Sequence, residues 1–154
     1  MLEFKIADIN NAHLIYQWAN DPIARENSYN KESIKYSDHL VWFKEKIKSG
    51  SSKFYIFSNE EGQKIGFVRL DYNNVHKNAI ISIVIDIKHR GKGYAKQMLE
   101  IASDEYLKSN IGAAITAYIF KNNVQSYKSF IYAGFVFDSE KIINKVMSCI
   151  LIKK

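Results

Sequence analysis

The sequence predicts an α/β protein built on a mixed sheet, mostly antiparallel with one parallel strand pair, and flanked by helices. Strand-like and helix-like segments follow one another as β-α-α-β-β-β-α-β-α-β-β. Polar turns at Glu60–Gln63 and Asn73–Asn78 separate three neighbouring strands, which therefore pair as hairpins. A strand–helix–strand run from Ala79 to Phe120 demands a right-handed parallel crossover.

Each element has a local reason. Leu2–Ile6 alternates and reads as a first strand. Asn10 or Asn11 offers an N-cap, after which Leu14, Ile15, Trp18 and Ala19 recur at helical spacing. That helix is expected to stop at Asn20-Asp21-Pro22, because proline disfavours helix in the residue before it. Ile23–Lys35 is polar and mixed, a loop or a short helix. Ser37 is the expected cap of the next helix, with Leu40, Val41, Phe43 and Ile47 on its apolar face, and Ser49–Ser52 ends it. Phe54–Ser58, Ile65–Tyr72 and Ala79–Ile87 follow as strands, the last rich enough in Ile and Val to be buried on both faces. Beyond the Lys88–Tyr94 loop, Ala95–Leu107 reads as a helix with Met98, Leu99, Ala102 and Tyr106 inward. Ala113–Phe120 is a strand, and Asn122–Tyr132 a helix with Val124, Tyr127 and Ile131 on one face. Gly134 closes that helix at C′, and Phe135–Asp138 and Val146–Ile152 are the final strands.

The 154 residues suit one domain, residues 1–154, and 47% hydrophobic content is enough to give it a core. No apolar run approaches the ~20 residues that span a bilayer, and the N-terminus lacks a signal-peptide pattern, so a cytosolic protein with no membrane partner is expected. Cys149 is the one cysteine, which excludes an internal disulfide; without Cys or His neighbours at ligand spacing, it gives no metal site and reads as a small apolar residue of the last strand. A net charge of +6 suits an anionic ligand. The basic residues are scattered rather than gathered on one helix, which argues against nucleic acid.

The informative stretch is Ile85-Asp86-Ile87-Lys88-His89-Arg90-Gly91-Lys92-Gly93-Tyr94-Ala95. A strand runs into two glycines and then a helix whose first N–H groups and positive dipole end form an anion site. Lys88, Arg90 and Lys92 add positive charge. A P-loop would need Ser or Thr after Gly91-Lys92, where Gly93 stands, and a dinucleotide fingerprint would need a glycine where Lys96 stands.

The stretch resembles motif A of the GNAT acyltransferases, with Lys88 in the place usually held by Arg or Gln and Gly91 and Gly93 in the glycine places. Asn123-Val124-Gln125-Ser126, continuing through Phe130 to Ala133-Gly134-Phe135, resembles their motif B. The resemblance covers most of the chain and is strongest over residues 65–135. It implies a splayed parallel strand pair that admits acetyl-CoA. The cofactor would meet Ile85, Ile87, Lys88, Arg90, Gly91, Lys92, Gly93, Tyr94, Ala95, Asn123, Ser126 and Phe130. It implies direct attack by a bound amine on a thioester polarised by backbone N–H.

The sequence departs from the family where relatives often carry a tyrosine acid, since Phe130 occupies that place and Tyr127 lies one turn earlier. The usual glutamate near the start of the central strand is also missing; Asp71 and His76 are the nearest titratable groups. Asp71, His76 and Tyr127 are therefore the catalytic candidates. In the N-terminal half, where this family holds its acceptor, Trp18-Ala19-Asn20-Asp21-Pro22, Arg25-Glu26-Asn27-Ser28 and His39-Leu40-Val41-Trp42-Phe43, with the Ile65–Asp71 strand, resemble bacterial acetyltransferases acting on nucleotide-linked deoxyamino sugars. That implies Asn20, Arg25, Asn27, Ser28, His39, Trp42 and Arg69 as acceptor residues. A peptide N-terminal acetyltransferase and a non-catalytic acyl-CoA-binding module stay open, as does a homodimer.

Overall fold

The order of the strands is set by how the chain turns back on itself. In the computed structural model, which describes residues 1–73 and 77–154, seven strands form one sheet in the order β1-β2-β3-β4-β5-β7-β6. The elements are β1 (Glu3–Ile6), α1 (Ala12–Ala19), α2 (Pro22–Glu26), α3 (Tyr36–Ser49), β2 (Ser52–Ser58), β3 (Lys64–Asn73), β4 (Asn78–Ile85), α4 (Tyr94–Ser109), β5 (Ala114–Phe120), α5 (Val124–Tyr132), β6 (Val136–Ile143) and β7 (Val146–Lys153). Every neighbouring pair is antiparallel except β4–β5, which the α4 crossover makes parallel. The parallel pair is short. Asn78, Ala79 and Ile80 face Ala114, Ile115 and Thr116, and beyond them the two strands pair no further.

Alternation along the strands divides the core. Phe54, Ile56 and Phe67 pack with Ile15, Trp18 and Phe43 on the α1–α3 side. Tyr55, Phe57, Val68 and Leu70 pack on the other side with Met98, Leu99 and Ala102 of α4 and Phe130 of α5. The inward face expected of α4 is buried in full, and Cys149 is buried in β7.

Several local expectations are corrected. Pro22 opens a helix instead of only ending one: it sits at the first position of α2, where its missing N–H costs nothing, and Asp21 caps that helix through Ile23 and Ala24 N–H. Lys35, not Ser37, precedes α3, and Val41 is 60% exposed while His39 is buried. In α5 the buried residue is Phe130, with Val124 and Ile131 turned outward. β4 ends at Ile85 because the Asp86 carboxylate accepts from Lys88 N–H and starts a 3-10 turn. β6 and β7 form a longer hairpin than expected. Their turn residues Asn144 and Lys145 both adopt positive φ, as a tight turn matched to strand twist requires.

His39 is 3% exposed, stacked on Phe43 and hydrogen-bonded through Nε2 to Ala12 O at 3.0 Å. Burial lowers its pKa from the ordinary 6.5, against the smaller opposing effect of the Ala12 carbonyl. The folded state therefore prefers the neutral ring. This contribution is complete above pH 6.5 and is lost as pH falls from there through the lower folded value. The melting temperature is expected to drop between pH 7 and pH 5, with a shallower drop in His39→Gln; equal slopes would show that His39 does not drive it.

Candidate active site

The divergence of β4 from β5 opens a cavity of about 520 Å³. Its walls are Ile80–Val84 of β4, Tyr118–Phe120 of β5, Arg69 and Asp71 of β3, Ala24 and Arg25 of α2 with Asn27, Ser28 and Tyr29 after it, and Asn123 at the cap of α5 with Ser126 and Phe130 within it. Arg25, Asn27, Ser28, Arg69, Asp71, Arg90, Asn123, Ser126 and Phe130, all expected at a site, are thus brought together.

The phosphate-type loop leads away from one end of this cavity. Gly91 and Gly93 take φ of +74° and +78°, and a Cβ on either would meet nothing within 4 Å. Both glycines are exposed, as are Lys88 and Lys92. Gly93 is the N-cap of α4 and supplies no side-chain acceptor, so the first N–H groups of a 16-residue helix face outward without a protein cap. Tyr94 and Ala95 open that helix. Ile85 pairs with Gly66 of β3, and Ile87 lies in the 3-10 turn, 61% exposed.

Arg90 does not join Lys88 and Lys92 as an outward cation. Its Nε donates to Ile85 O at 2.9 Å and its Nη2 to Asp21 Oδ2 at 2.8 Å. Asp86, at the root of the loop, accepts from Trp18 Nε1 at 3.2 Å and pairs with His89 Nδ1 at 3.1 Å. Burial pushes the Asp86 carboxyl up, but His89, Trp18 and Lys88 N–H together outweigh it and hold it below the usual carboxylate range.

On the side expected to hold the acceptor, Arg69 lies over the Trp42 ring at 4.9 Å, and its Nε donates to Asp71 Oδ2 at 2.7 Å. Ser52 Oγ donates to the other Asp71 oxygen. Arg25 Nη2 donates to Ser28 Oγ at 3.1 Å, while Arg25 Nε is buried without a partner among the described residues. Burial alone lowers the Arg25 pKa from its ordinary value. Asn123 Oδ1 accepts from Ser126 N–H, which caps α5 and sets both residues on the cavity wall.

Some expected site residues stand elsewhere. Asn20 spends its side chain on Ile34 N–H and on the Tyr16 hydroxyl, so it ties down the 27–35 segment rather than facing the cavity. His39 is sealed among aromatic rings, and Trp42 acts beneath Arg69 instead of on the cavity wall. Tyr127 packs against the core cluster. His76 lies outside the described residues. Three wall residues had no sequence signal. Tyr29 meets Ser148 through its hydroxyl, Ser82 sits on β4, and Tyr118 on β5 is 38% exposed, its hydroxyl bonded to no described residue.

A family model described as acetyltransferase (GNAT) family matches residues 13–135. Spermidine N(1)-acetyltransferase of Vibrio cholerae serotype O1 is 25% identical over 96 residues, 62% of this chain and 50% of that protein, so the match spans half the relative's length. The structure of spermidine N-acetyltransferase from Vibrio cholerae in complex with CoA and spermine superposes with a TM-score of 0.88 at 17% identity, covering 99% of this chain and 94% of that chain. A dodecameric structure of the Vibrio cholerae enzyme in an intermediate state gives a TM-score of 0.81 at 19% identity, covering 99% and 92%. Among the described residues no helix is long and apolar enough to cross a membrane.

Proposed function

Because the chain belongs to the acetyltransferase (GNAT) family, we propose that it moves an acetyl group from acetyl-CoA to a primary amine of a small acceptor, by direct attack with both bound. The observation that carries this reading is the junction of a split parallel strand pair with an uncapped, glycine-preceded helix N-terminus. An extended thioester with a pyrophosphate at one end fits that shape. Acetyl-CoA, when bound, supplies the acyl group on a good leaving thiol.

The chain's own residues do the rest. N–H groups around Gly91, Gly93 and the first turn of α4 hold phosphate oxygens, with Lys88 and Lys92 beside them. The free edge of β4 beyond Ile80 offers backbone groups to the arm and an N–H to polarise the carbonyl. Asn123, Ser126 and Phe130 shape the opposite wall. Asp71 has donors on both oxygens, so its role is to hold Arg69 toward the acceptor while water removes the ammonium proton. Of the two wall phenols, Tyr29 is engaged with Ser148, so Tyr118 is assigned to proton donation at the thiol.

These assignments separate kinetically. Asp71→Asn is expected to raise the acceptor KM with kcat nearly retained. Tyr118→Phe is expected to lower kcat about tenfold, equivalent to ~1.4 kcal/mol of barrier, and Tyr127→Phe to change little. A normal KM with a collapsed kcat in Asp71→Asn would make Asp71 the base after all. A large loss in Tyr127→Phe would return the acid to that residue.

The acceptor reading is a nucleotide-linked deoxyamino sugar. Arg25, Arg69 and Arg90 all line the cavity, and its wall carboxylate, Asp71, is paired with Arg69. A polycation would have to break that pair, whereas a phosphate would meet the arginines of the wall. A second reading, a polyamine acceptor, is favoured by the named activity of the Vibrio cholerae relatives. Thiol release from acetyl-CoA should be measured with UDP-linked amino sugars, spermidine and peptides, with and without UDP as competitor. The expected result is sugar-nucleotide turnover that UDP inhibits; turnover of spermidine alone would establish the second reading.

A further inference from the structure

Helix α2 carries acceptor-side residues, yet nothing in its own make-up fixes its position. It has five residues, Pro22–Glu26, and none of them is buried. A helix of that length has little intrinsic stability, and with only Ala24 and Arg25 half-buried its packing holds it weakly. Its neighbour α1 is different, since Ala12, Ile15 and Trp18 are buried in the core and Trp18 also donates to Asp86 at the root of the phosphate-type loop. What orients α2 is polar. Asp21 Oδ2 accepts from Ile23 N–H and Ala24 N–H, both at 3.1 Å, and the same oxygen accepts from Arg90 Nη2 at 2.8 Å.

Arg90 belongs to the loop, directly before Gly91. Its Nε clips back onto Ile85 O, so the loop's conformation dictates where the guanidinium stands. Its Nη1 is buried without a partner among the described residues. Burial raises the Asp21 carboxyl, but Arg90 and the capped N–H groups outweigh it and keep Asp21 ionised below the usual range. One charged side chain thus reaches from the loop to the cap of the helix that bears Arg25.

We propose that the Asp21–Arg90 pair is a positioning bond that couples occupancy of the phosphate loop to the placement of the acceptor-bearing helix α2. Filling the loop fixes Gly91 and with it Arg90; Arg90 fixes Asp21; Asp21 orders the 22–28 segment. The cofactor thereby prepares the acceptor wall, and affinity for each ligand rises with the other bound. This rests on the reading of the loop as the CoA phosphate site.

The test uses CoA alone. Asp21→Asn and Asp21→Ser both keep a side-chain oxygen that caps α2, and both remove the charge that pairs with Arg90. Calorimetry measures CoA binding, and hydrogen–deuterium exchange follows the amides of residues 23–28. In the parent protein, CoA should slow those amides by about fivefold or more, the low end of ordinary coupling between sites. In either variant CoA should bind with nearly parent affinity and leave those amides unchanged. Equal protection in parent and variant, or no protection in a parent protein that binds CoA, would overturn the coupling. A parent protein that binds no CoA would instead remove the cofactor reading, and the proposal with it. Two capping variants keep the test available if one fails to fold.

Discussion

Gly66→Ala should be the most damaging single-methyl change in the sheet, lowering the melting temperature by about 10 °C or preventing folding. A Cβ at Gly66 would overlap Val84 O and stand 2.9 Å from Ile85 Cα, both backbone atoms of β4. The backbone there, at φ +155°, is one that side chains rarely adopt. Relief requires β3 and β4 to separate at the point where Gly66 pairs with Ile85, next to the loop. Forced overpacking of this kind costs roughly 3 kcal/mol, and in a domain of this size each kcal/mol moves the midpoint by about 2–4 °C. Gly62→Ala is the control. It also has positive φ, +77°, but its Cβ would meet nothing within 4 Å, so only backbone strain of about 1 kcal/mol remains. Thermal melts of the two variants decide the matter, and equal midpoints would show that the close approach is not what Gly66 provides.

Gly91→Val should raise the CoA Kd at least about tenfold, or 1.4 kcal/mol, in a protein that still folds. The space beside Gly91 is open to a Cβ, so the local cost is backbone strain rather than a clash at that atom. What it disturbs is φ +74°, and it places a branched side chain where a phosphate would approach the main chain. Stability and binding are therefore separable here, which they are not at Gly66. Calorimetry with CoA on a variant whose melt is near the parent's is the measurement. Unchanged affinity would dissociate the loop from the cofactor.

The parts of the fold legible in the sequence were those whose cause is local. The α4 face at Met98, Leu99, Ala102 and Tyr106 follows from helical spacing, and the loop follows from two glycines among cations at a strand end. The parallel crossover followed from the order of elements. Pro22 was ambiguous because proline both ends and begins helices, and only Asp21 before it chooses between them. Arg90 reads as one more loop cation until Asp21, 69 residues away, is brought beside it. Ser82 and Tyr118 become site residues only because β4 and β5 diverge, and no spacing within either strand announces that divergence. The cavity wall expected to hold the acceptor was the least legible. Its residues come from α2, β3 and the segment around Tyr29, and the side chains that look most chemical, Asn20 and His39, are used for internal bonds.

The short β4–β5 pairing also means that this sheet has inner margins as well as outer ones. Past Ile80 and Thr116, each of these strands keeps one row of backbone donors and acceptors facing the gap, in the middle of the molecule. Such rows are templates for strand addition, and outer edges are usually blunted by charge or cover. On the proposed reading, acetyl-CoA lying between them would be the shelter. Protein stripped of cofactor should consequently be stickier than protein kept with it. Light scattering during prolonged incubation, with and without added CoA, would display the difference, and a soluble preparation would be best maintained by never letting the cleft stand empty.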